Sequence, residues 1–301
     1  MSLDFQSYRE ERRNLIDAAL DKELPPETEP PAIIHRAMRY AIFPGGKRLR
    51  PLLTLAAAEA VGGDSLSAVP AQADREVLPT ACALELIHAY SLIHDDLPAL
   101  DNDDYRRGNF SSHKAFGEDI AILAGDALLT LAFGLISRNG EVEGTERSSI
   151  PIVIGKVAGA VGTAGMIGGQ VDDLKPEGNE ITLARLESIH QRKTGALIKV
   201  CLEAGAILGG GGQEEISLLS RYGQSLGLAF QIADDILDAQ GEEKEKASYP
   251  ALIGLEESRK RVKELTGKAK EEISSLRGEK EVLEKIADSI LERSLKEKDD
   301  F

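Results

Sequence analysis

Helix-forming stretches rich in apolar residues, separated by short polar or glycine-rich breakers, run along the whole chain. They predict about ten helices, near 4–22, 31–42, 50–61, 75–97, 113–138, 146–168, 182–208, 213–239, 250–276 and 280–297. Ala81–Ile93, Ile120–Ile136 and Leu226–Leu237 are apolar almost all round, which places them in the middle of a bundle. The C-terminal part from Glu257 onward is amphipathic and reads as outer helices. The segment PIVIGKVAGAVGTAGMIGG begins with β-branched residues, yet its glycines at 155, 159 and 162 keep a helical spacing, and it reads as a central helix. No strand–turn–strand pattern stands out. The connectors LPPETEP, FPGGKR, VGGDS, RNGEVEG, KPEGNE and GGGGQ are too short to link separate domains. The expectation is an all-α, single-domain bundle over 1–301.

Charge narrows the partners. The 36 Lys and Arg face 51 Asp and Glu, a net −15, which argues against nucleic acid as a ligand. Hydrophobic content of 42% suffices for a core. Two cysteines, Cys82 and Cys201, in apolar surroundings suggest a reducing compartment rather than a disulfide scaffold. The charged N-terminus carries no signal-peptide core, and no stretch reaches the apolar length of a bilayer span. These features imply a cytoplasmic protein. Neither Gly45-Gly46-Lys47 nor Gly155-Lys156 completes a phosphate-binding P-loop, and repeated strand–helix units are missing.

Chemistry concentrates first in Ser91–Gly108, SLIHDDLPALDNDDYRRG. Asp95, Asp96, Asp101, Asp103 and Asp104 follow directly on an apolar helix. An isolated acidic run is ordinarily a solvated helix end. Here negative charge at a helix C-terminus opposes the macrodipole, and Arg106 and Arg107 follow at once. Hard oxygen ligands beside paired arginines suit a Mg²⁺–diphosphate complex. On a regular helix Asp95 and Asp101 would lie about 120° apart. Pro98 between them makes a kink or bulge the expected remedy.

A second acidic set, FQIADDILD, puts Asp234 and Asp238 four residues apart on one side of a helix, close to the core. Buried carboxylates call for a cation. GGKRLRP sets Lys47, Arg48 and Arg50 at a helix start, where anions are favoured; taken alone it reads equally as an ordinary charged helix start. Lys193, inside a helix rich in Leu and Ile, is a further candidate, although a lone lysine commonly snorkels to solvent. His88 lies seven residues before Asp95 on nearly the same face, where a core histidine with one backbone bond is the plain alternative. His94 takes no role.

Ala83–Gly108, in its DDxxxxD form, resembles the first aspartate-rich region of trans-isoprenyl diphosphate synthases, closest to bacterial short-chain farnesyl diphosphate synthases. GGKRLRP, GGQVDDL, HQRKTGALI and FQIADDILD match the other motifs of that family in order, and SYPAL matches the start of its C-terminal region. The resemblance covers essentially the whole chain. It implies an all-α isoprenoid-synthase fold around a central cavity, a homodimer, and condensation of isopentenyl diphosphate with dimethylallyl or geranyl diphosphate. Asp95 and Asp101 would bind two Mg²⁺ ions on the allylic diphosphate, and Asp234, helped by Asp238, a third. Arg106 and Lys193 would contact that diphosphate, while Lys47, Arg50, His88 and Arg107 would hold isopentenyl diphosphate. Thr194 and Gln231 would turn oxygen dipoles toward the allylic cation, with Gln170 and Asp173 as a supporting polar shell.

The same resemblance makes the fifth residue before the first aspartate the floor of the product pocket. Here that residue is Tyr90, with Ser91 beside it, about 7.5 Å of helix rise from Asp95. An aromatic there favours the C15 product, farnesyl diphosphate, over the C20 geranylgeranyl alternative; Phe133 could add a second barrier. One departure stands out. The family's longer loop after the second aspartate set carries a lysine, and this chain has only AQGEEKEKASYP, where Lys244 and Lys246 sit among glutamates as doubtful substitutes. A non-catalytic subunit of the same fold would be expected to lose an aspartate set, and a terpene cyclase would not need GGKRLRP or His88.

Overall fold

The computed structural model describes residues 4–61, 70–174, 181–239 and 248–296. Regular structure among them is almost entirely helical. In chain order the helices are α1 (Phe5–Glu23), α2 (Ala32–Ile42), α3 (Leu49–Val61), α4 (Pro70–Asp95), α5 (Ser112–Phe116), α6 (Glu118–Arg138) and α7 (Ser149–Val161). There follow α8 (Met166–Leu174), α9 (Leu183–His190), α10 (Ala196–Leu208), α11 (Gln213–Asp238), α12 (Tyr249–Ile253), α13 (Leu255–Glu272) and α14 (Glu281–Leu295). A π-helical turn, Gln191–Gly195, joins α9 to α10. Two two-residue strands, β1 (Tyr105–Arg106) and β2 (Asn109–Phe110), form an antiparallel pair that the sequence pattern did not announce. The expected all-α class holds.

Contacts group the chain into two compact units, one of Asp4–Leu55 and Asp74–Ile154, the other of Met1–Leu3, Ala56–Ala73 and Gly155–Phe301. In the first unit, α1 starts at an Asp4 cap whose Oδ1 accepts from the backbone N–H of Gln6 and Ser7 at 3.1 and 3.2 Å. Its buried stripe is Arg12, Ile16 and Leu20. Within α4, Ala81–Ile87 is buried on every side, as an all-round apolar helix requires. Pro79 interrupts the hydrogen-bond ladder of α4, and the fully buried Asn139 repairs it. The Asn139 amide donates to the Glu76 carbonyl at 2.6 Å and accepts from the Thr80 N–H at 3.1 Å.

In the second unit α11 is the central helix, packing against α10, α13, α14 and the π turn. Its Leu226, Ala229, Ile232, Ala233 and Ile236 have no more than trace exposure. Tyr222 anchors α14 from within, donating its hydroxyl to the Leu283 carbonyl at 2.7 Å.

Four expectations are corrected. Predicted stretches 113–138, 146–168 and 250–276 are each broken, at Gly117, between α7 and α8, and at Gly254. Helix α6, apolar all round, is not enclosed: Ile122 and Leu123 are 44% and 53% exposed. Helix α7 buries Ser149 at its start and Ile150, Val153, Val157 and Val161, a stripe at helical spacing, so it is helical but not central. By length and composition alone, three helical stretches, Glu76–Asp95, Glu118–Glu141 and Ser149–Leu174, are long and apolar enough to cross a membrane, contrary to the sequence reading.

Candidate active site

In the first unit the helix α4 ends at Asp95, and the chain doubles back rather than kinking within a helix. Pro98 disfavours helical geometry for the residue before it. The last carbonyls of α4 therefore lack their usual donors. The Asp101 N–H takes one of them, donating to the Asp95 carbonyl at 2.9 Å. Leu100 and Asn102 N–H groups both donate to the Leu97 carbonyl, at 2.9 and 3.1 Å, and Asn102 closes the turn at φ +55°. The distortion expected between Asp95 and Asp101 is thus a helix end followed by a tight loop.

The other three aspartates of this run serve the protein itself. Asp96 is 2% exposed and faces the Arg106 guanidinium, whose Nε donates to it at 3.0 Å. Arg106 also reaches Asp103 at 3.0 Å, and Asp104 pairs with Lys114 at 2.7 Å. Burial pushes the Asp96 carboxyl above the usual carboxylate value, and Arg106 pulls it back. Arg106, assigned to the allylic diphosphate, is consequently held by two carboxylates in the tip of the β1–β2 hairpin.

The glycine pair of GGKRLRP has a specific use. Gly45 and Gly46 have φ of +98° and +149°, which a side chain would resist. A Cβ on Gly46 would lie 2.7 Å from Nη1 of Arg107. That same nitrogen donates to the Gly45 carbonyl. Arg48, grouped with its basic neighbours in the sequence, turns inward instead: it is 4% exposed and pairs with Glu85 at 3.0 Å and Asp17 at 2.7 Å. Lys47 is exposed and Arg50 half-buried beside it. His88 is kept neutral first by burial, then by the positive charges of Arg50, Arg107, Arg106 and Arg48. His88, Arg50 and Arg107, expected to hold one diphosphate, are therefore neighbours.

Tyr90 is 7% exposed, its ring edge-on to His94 at 5.3 Å. His94, given no role from sequence, donates from Nε2 to the Ile122 carbonyl at 3.1 Å and so braces Tyr90. Gly125 of α6 makes the space, since a Cβ there would lie 2.2 Å from His94 Nε2. Ser91 spends its hydroxyl on the His88 carbonyl at 2.9 Å. Phe133 is half-buried on α6.

The second unit carries its own cluster of candidate residues around the π turn, a distortion common at functional sites. Here α8 lies directly on that turn: a Cβ on Gly169 would sit 2.4 Å from the Lys193 nitrogen. Across this contact Asp173 pairs with Lys193 at 2.6 Å, and Asp172 with Arg192. Both amide atoms of Gln170 are buried without a hydrogen-bond partner, an arrangement that calls for one. Thr194 donates to Gln231 Oε1 at 2.8 Å. The acidic set on α11 divides. Asp234 is half-buried and pairs with Arg293 of α14 at 2.8 Å, while Asp238 is exposed rather than close to the core. Asp235 is the buried member, 2% exposed. Arg293, Asp235 and Gly125 escaped the sequence reading; the i,i+4 spacing of Gln231 and Asp235 was the available signal for one of them. Lys244 and Lys246 lie outside the described residues.

The donors suit magnesium. Asp95 and Asp101 are joined by one turn, and Asp234 and Asp238 are four apart on one helix; all four offer hard carboxylate oxygens. Among the described residues no three His, Cys, Asp or Glu form a complete metal cage. Magnesium ordinarily takes one or two carboxylates and completes its shell with water and substrate phosphate, so pairs of aspartates are the fitting arrangement.

Each unit by itself carries an aspartate pair and cationic side chains, groups that suit a metal-bound diphosphate. The chain belongs to the polyprenyl synthetase family, whose model matches residues 31–284. It is 43% identical over 306 residues to a dimethylallyltranstransferase of Fischerella ambigua (strain UTEX 1903), covering 97% of this chain and 85% of the relative. A geranylgeranyl diphosphate synthase of Cyanophora paradoxa is 44% identical over 301 residues, 96% of each chain. The crystal structure of an FPP/GFPP synthase from Zymomonas mobilis matches with a TM-score of 0.85 at 38% identity, over 97% of this chain and 100% of that one. The family acts on isopentenyl and allylic diphosphates.

Proposed function

We propose that this protein is a magnesium-dependent prenyl diphosphate synthase that joins isopentenyl diphosphate to an allylic diphosphate and releases a short-chain product. The observation that carries the reading is on α4 of the first unit. One helix offers a neutral His88 amid arginines and, seven residues on, an aspartate turn, so one element carries groups suited to a diphosphate anion and to a metal-bound one.

In this reading Arg50, Arg107 and His88 hold isopentenyl diphosphate, with Lys47 at the exposed edge. Arg106 and Lys193 hold the allylic diphosphate, each kept in place by a carboxylate partner, Asp96 or Asp173. Asp95 and Asp101 in one unit, and Asp234 and Asp238 in the other, would hold magnesium, which when bound would supply positive charge to offset that of the departing diphosphate. The allylic C–O bond breaks with its electron pair leaving on diphosphate, while Thr194 and Gln231 face the cation with oxygen atoms. The double bond of isopentenyl diphosphate attacks that carbon, and a proton then leaves to the released diphosphate. In this scheme no protein base is needed.

Two product lengths compete. The names of relatives favour C20: the Cyanophora paradoxa protein is a geranylgeranyl diphosphate synthase, and several Arabidopsis thaliana relatives bear that name. Tyr90, buried and braced by His94, favours C15. Product sizing decides, with purified protein, Mg²⁺, isopentenyl diphosphate and a C5 or C10 primer. A C15 end product that lengthens in Tyr90→Ala supports the tyrosine as the floor; a wild-type C20 product overturns it.

We also propose a homodimer, supported by the exposed Ile122 and Leu123 on α6. Light scattering on the wild type and on Leu123→Glu tests it, a monomeric wild type being the contrary result.

A further inference from the structure

The second unit contains a hydrogen-bond chain whose direction is set at one end. Asp235 is turned about 100° round α11 from Asp234, into the protein interior. Its Oδ2 accepts from His190 Nε2 at 3.0 Å and from the Tyr249 backbone N–H at 2.9 Å. Its Oδ1 accepts from the Gln231 amide nitrogen at 3.4 Å. Among the described residues, each of these hydrogen-bond partners of the carboxylate is a donor. Three elements hold it there: α9 through His190, the start of α12 through Tyr249, and α11 itself. The His190 and Tyr249 rings stack at 6.1 Å, and the Tyr249 hydroxyl is tied to Glu187.

Direction follows from donor and acceptor counting. With its NH₂ committed to Asp235, Gln231 presents Oε1 to Thr194. Thr194 Oγ1 stands 2.8 Å from that oxygen, and only the hydroxyl has a hydrogen to give. The threonine proton therefore points at Gln231, and the threonine lone pairs point elsewhere.

We infer that Asp235 is a positioning residue for prenyl transfer: by fixing the Gln231 amide it keeps the Thr194 hydroxyl oxygen, rather than its proton, directed at the ionising allylic carbon. This rests on the proposed function and adds a residue that touches no substrate. Pre-organised dipoles of the right sign are effective because nothing has to reorient as charge develops. An asparagine at 235 would keep the shape but offer an NH₂ as well as an oxygen. Gln231 could then reverse, donate to Thr194 Oγ1 and release the threonine proton toward the positive carbon. The same atoms would then present the opposite dipole.

The test is Asp235→Asn, assayed with two unreactive allylic diphosphate analogues by calorimetry. One carries an ammonium nitrogen at the position of the reacting carbon; the other is a thiolodiphosphate, neutral at that carbon. Asp235→Asn should weaken the ammonium analogue about tenfold or more. The neutral analogue should bind within about twofold of wild type. Turnover should fall about 10²-fold with KM for the allylic substrate little changed. Equal weakening of both analogues, or of neither, overturns the inference. Asp235→Glu, which can only accept, should keep the preference for the ammonium analogue even if Asp235→Asn fails to fold, and losing that preference also overturns the inference. A wild-type protein that forms no allylic product would instead overturn the proposed function.

Discussion

The Asp101 backbone N–H donates to the Asp95 carbonyl at 2.9 Å, closing a turn across six residues where the last helical hydrogen bond would otherwise be missing. This bond draws the first and last aspartates of the DDxxxxD run toward one another without bending a helix. It also separates the backbone of residue 101, which shapes the turn, from its carboxylate, which the proposed function assigns to magnesium. Asp101→Asn should keep the turn, melt close to wild type and lose about 10²-fold in turnover. Asp101→Pro removes the donor as well and should cost about 1 kcal/mol more stability, a few degrees in Tm at most for a chain of this size. Thermal melts beside steady-state rates separate the two effects.

Asp96 is predicted to matter through Arg106. Its carboxylate is buried and makes a charge-assisted contact with that guanidinium. Asp96→Ala should destabilise by about 2 kcal/mol in urea titrations. It should also raise KM for the allylic substrate more than KM for isopentenyl diphosphate. Equal rises in both constants would show that Arg106 is not specific to the allylic side.

Gly169 permits the contact between α8 and the π turn. Alanine there places a methyl 2.4 Å from the Lys193 nitrogen, so backbone has to move. Overpacking of this kind costs about 1–3 kcal/mol. Gly169→Ala should therefore lower both the urea midpoint and turnover, because the displaced turn carries Lys193 and Thr194. Unchanged stability and activity would place the close approach elsewhere.

His88 sets a pH dependence whose sign is fixed. Its pKa lies well below the ordinary 6.5, from burial and then from Arg50, Arg107, Arg106 and Arg48. Below pH 6.5 and above its own folded value, the unfolded chain binds a proton that the native protein does not. Stability attributable to His88 should fall as pH drops through that window, by about 1.4 kcal/mol per pH unit. His88→Gln should flatten the slope of the urea midpoint between pH 6.5 and 5. An identical slope in the variant would contradict the assignment.

Helical class and most helix positions were legible because the buried stretches Ala81–Ile87 of α4 and Leu226–Ile236 of α11 are dominated by apolar residues, with Glu85 and Asp235 as charged exceptions. The aspartate turn was not, since a hydrogen bond from Asp101 back to Asp95 leaves no trace in spacing. Pro98 signalled a disruption but not its form. Lys47, Arg48 and Arg50 are alike in sequence, and only the inward turn of Arg48 at φ +47° toward Glu85 separates it from its neighbours. The roles within ADDILD were divided differently from expectation, with Asp235 rather than Asp238 buried, because one helical step of 100° decides which carboxylate faces the core. Helix α6 misled through composition: apolar content all round marks a surface to be covered, and Ile122 and Leu123 are not covered within this chain.

The most direct test is incorporation of labelled isopentenyl diphosphate into allylic product by the wild type, Asp95→Ala and Asp234→Ala, with Mg²⁺ and with a chelator. Wild-type incorporation that stops on chelation, with each folded variant down about 10²-fold or more, is the predicted result. Near-normal incorporation by either folded variant, or by the wild type in chelator, would contradict the metal-held diphosphate.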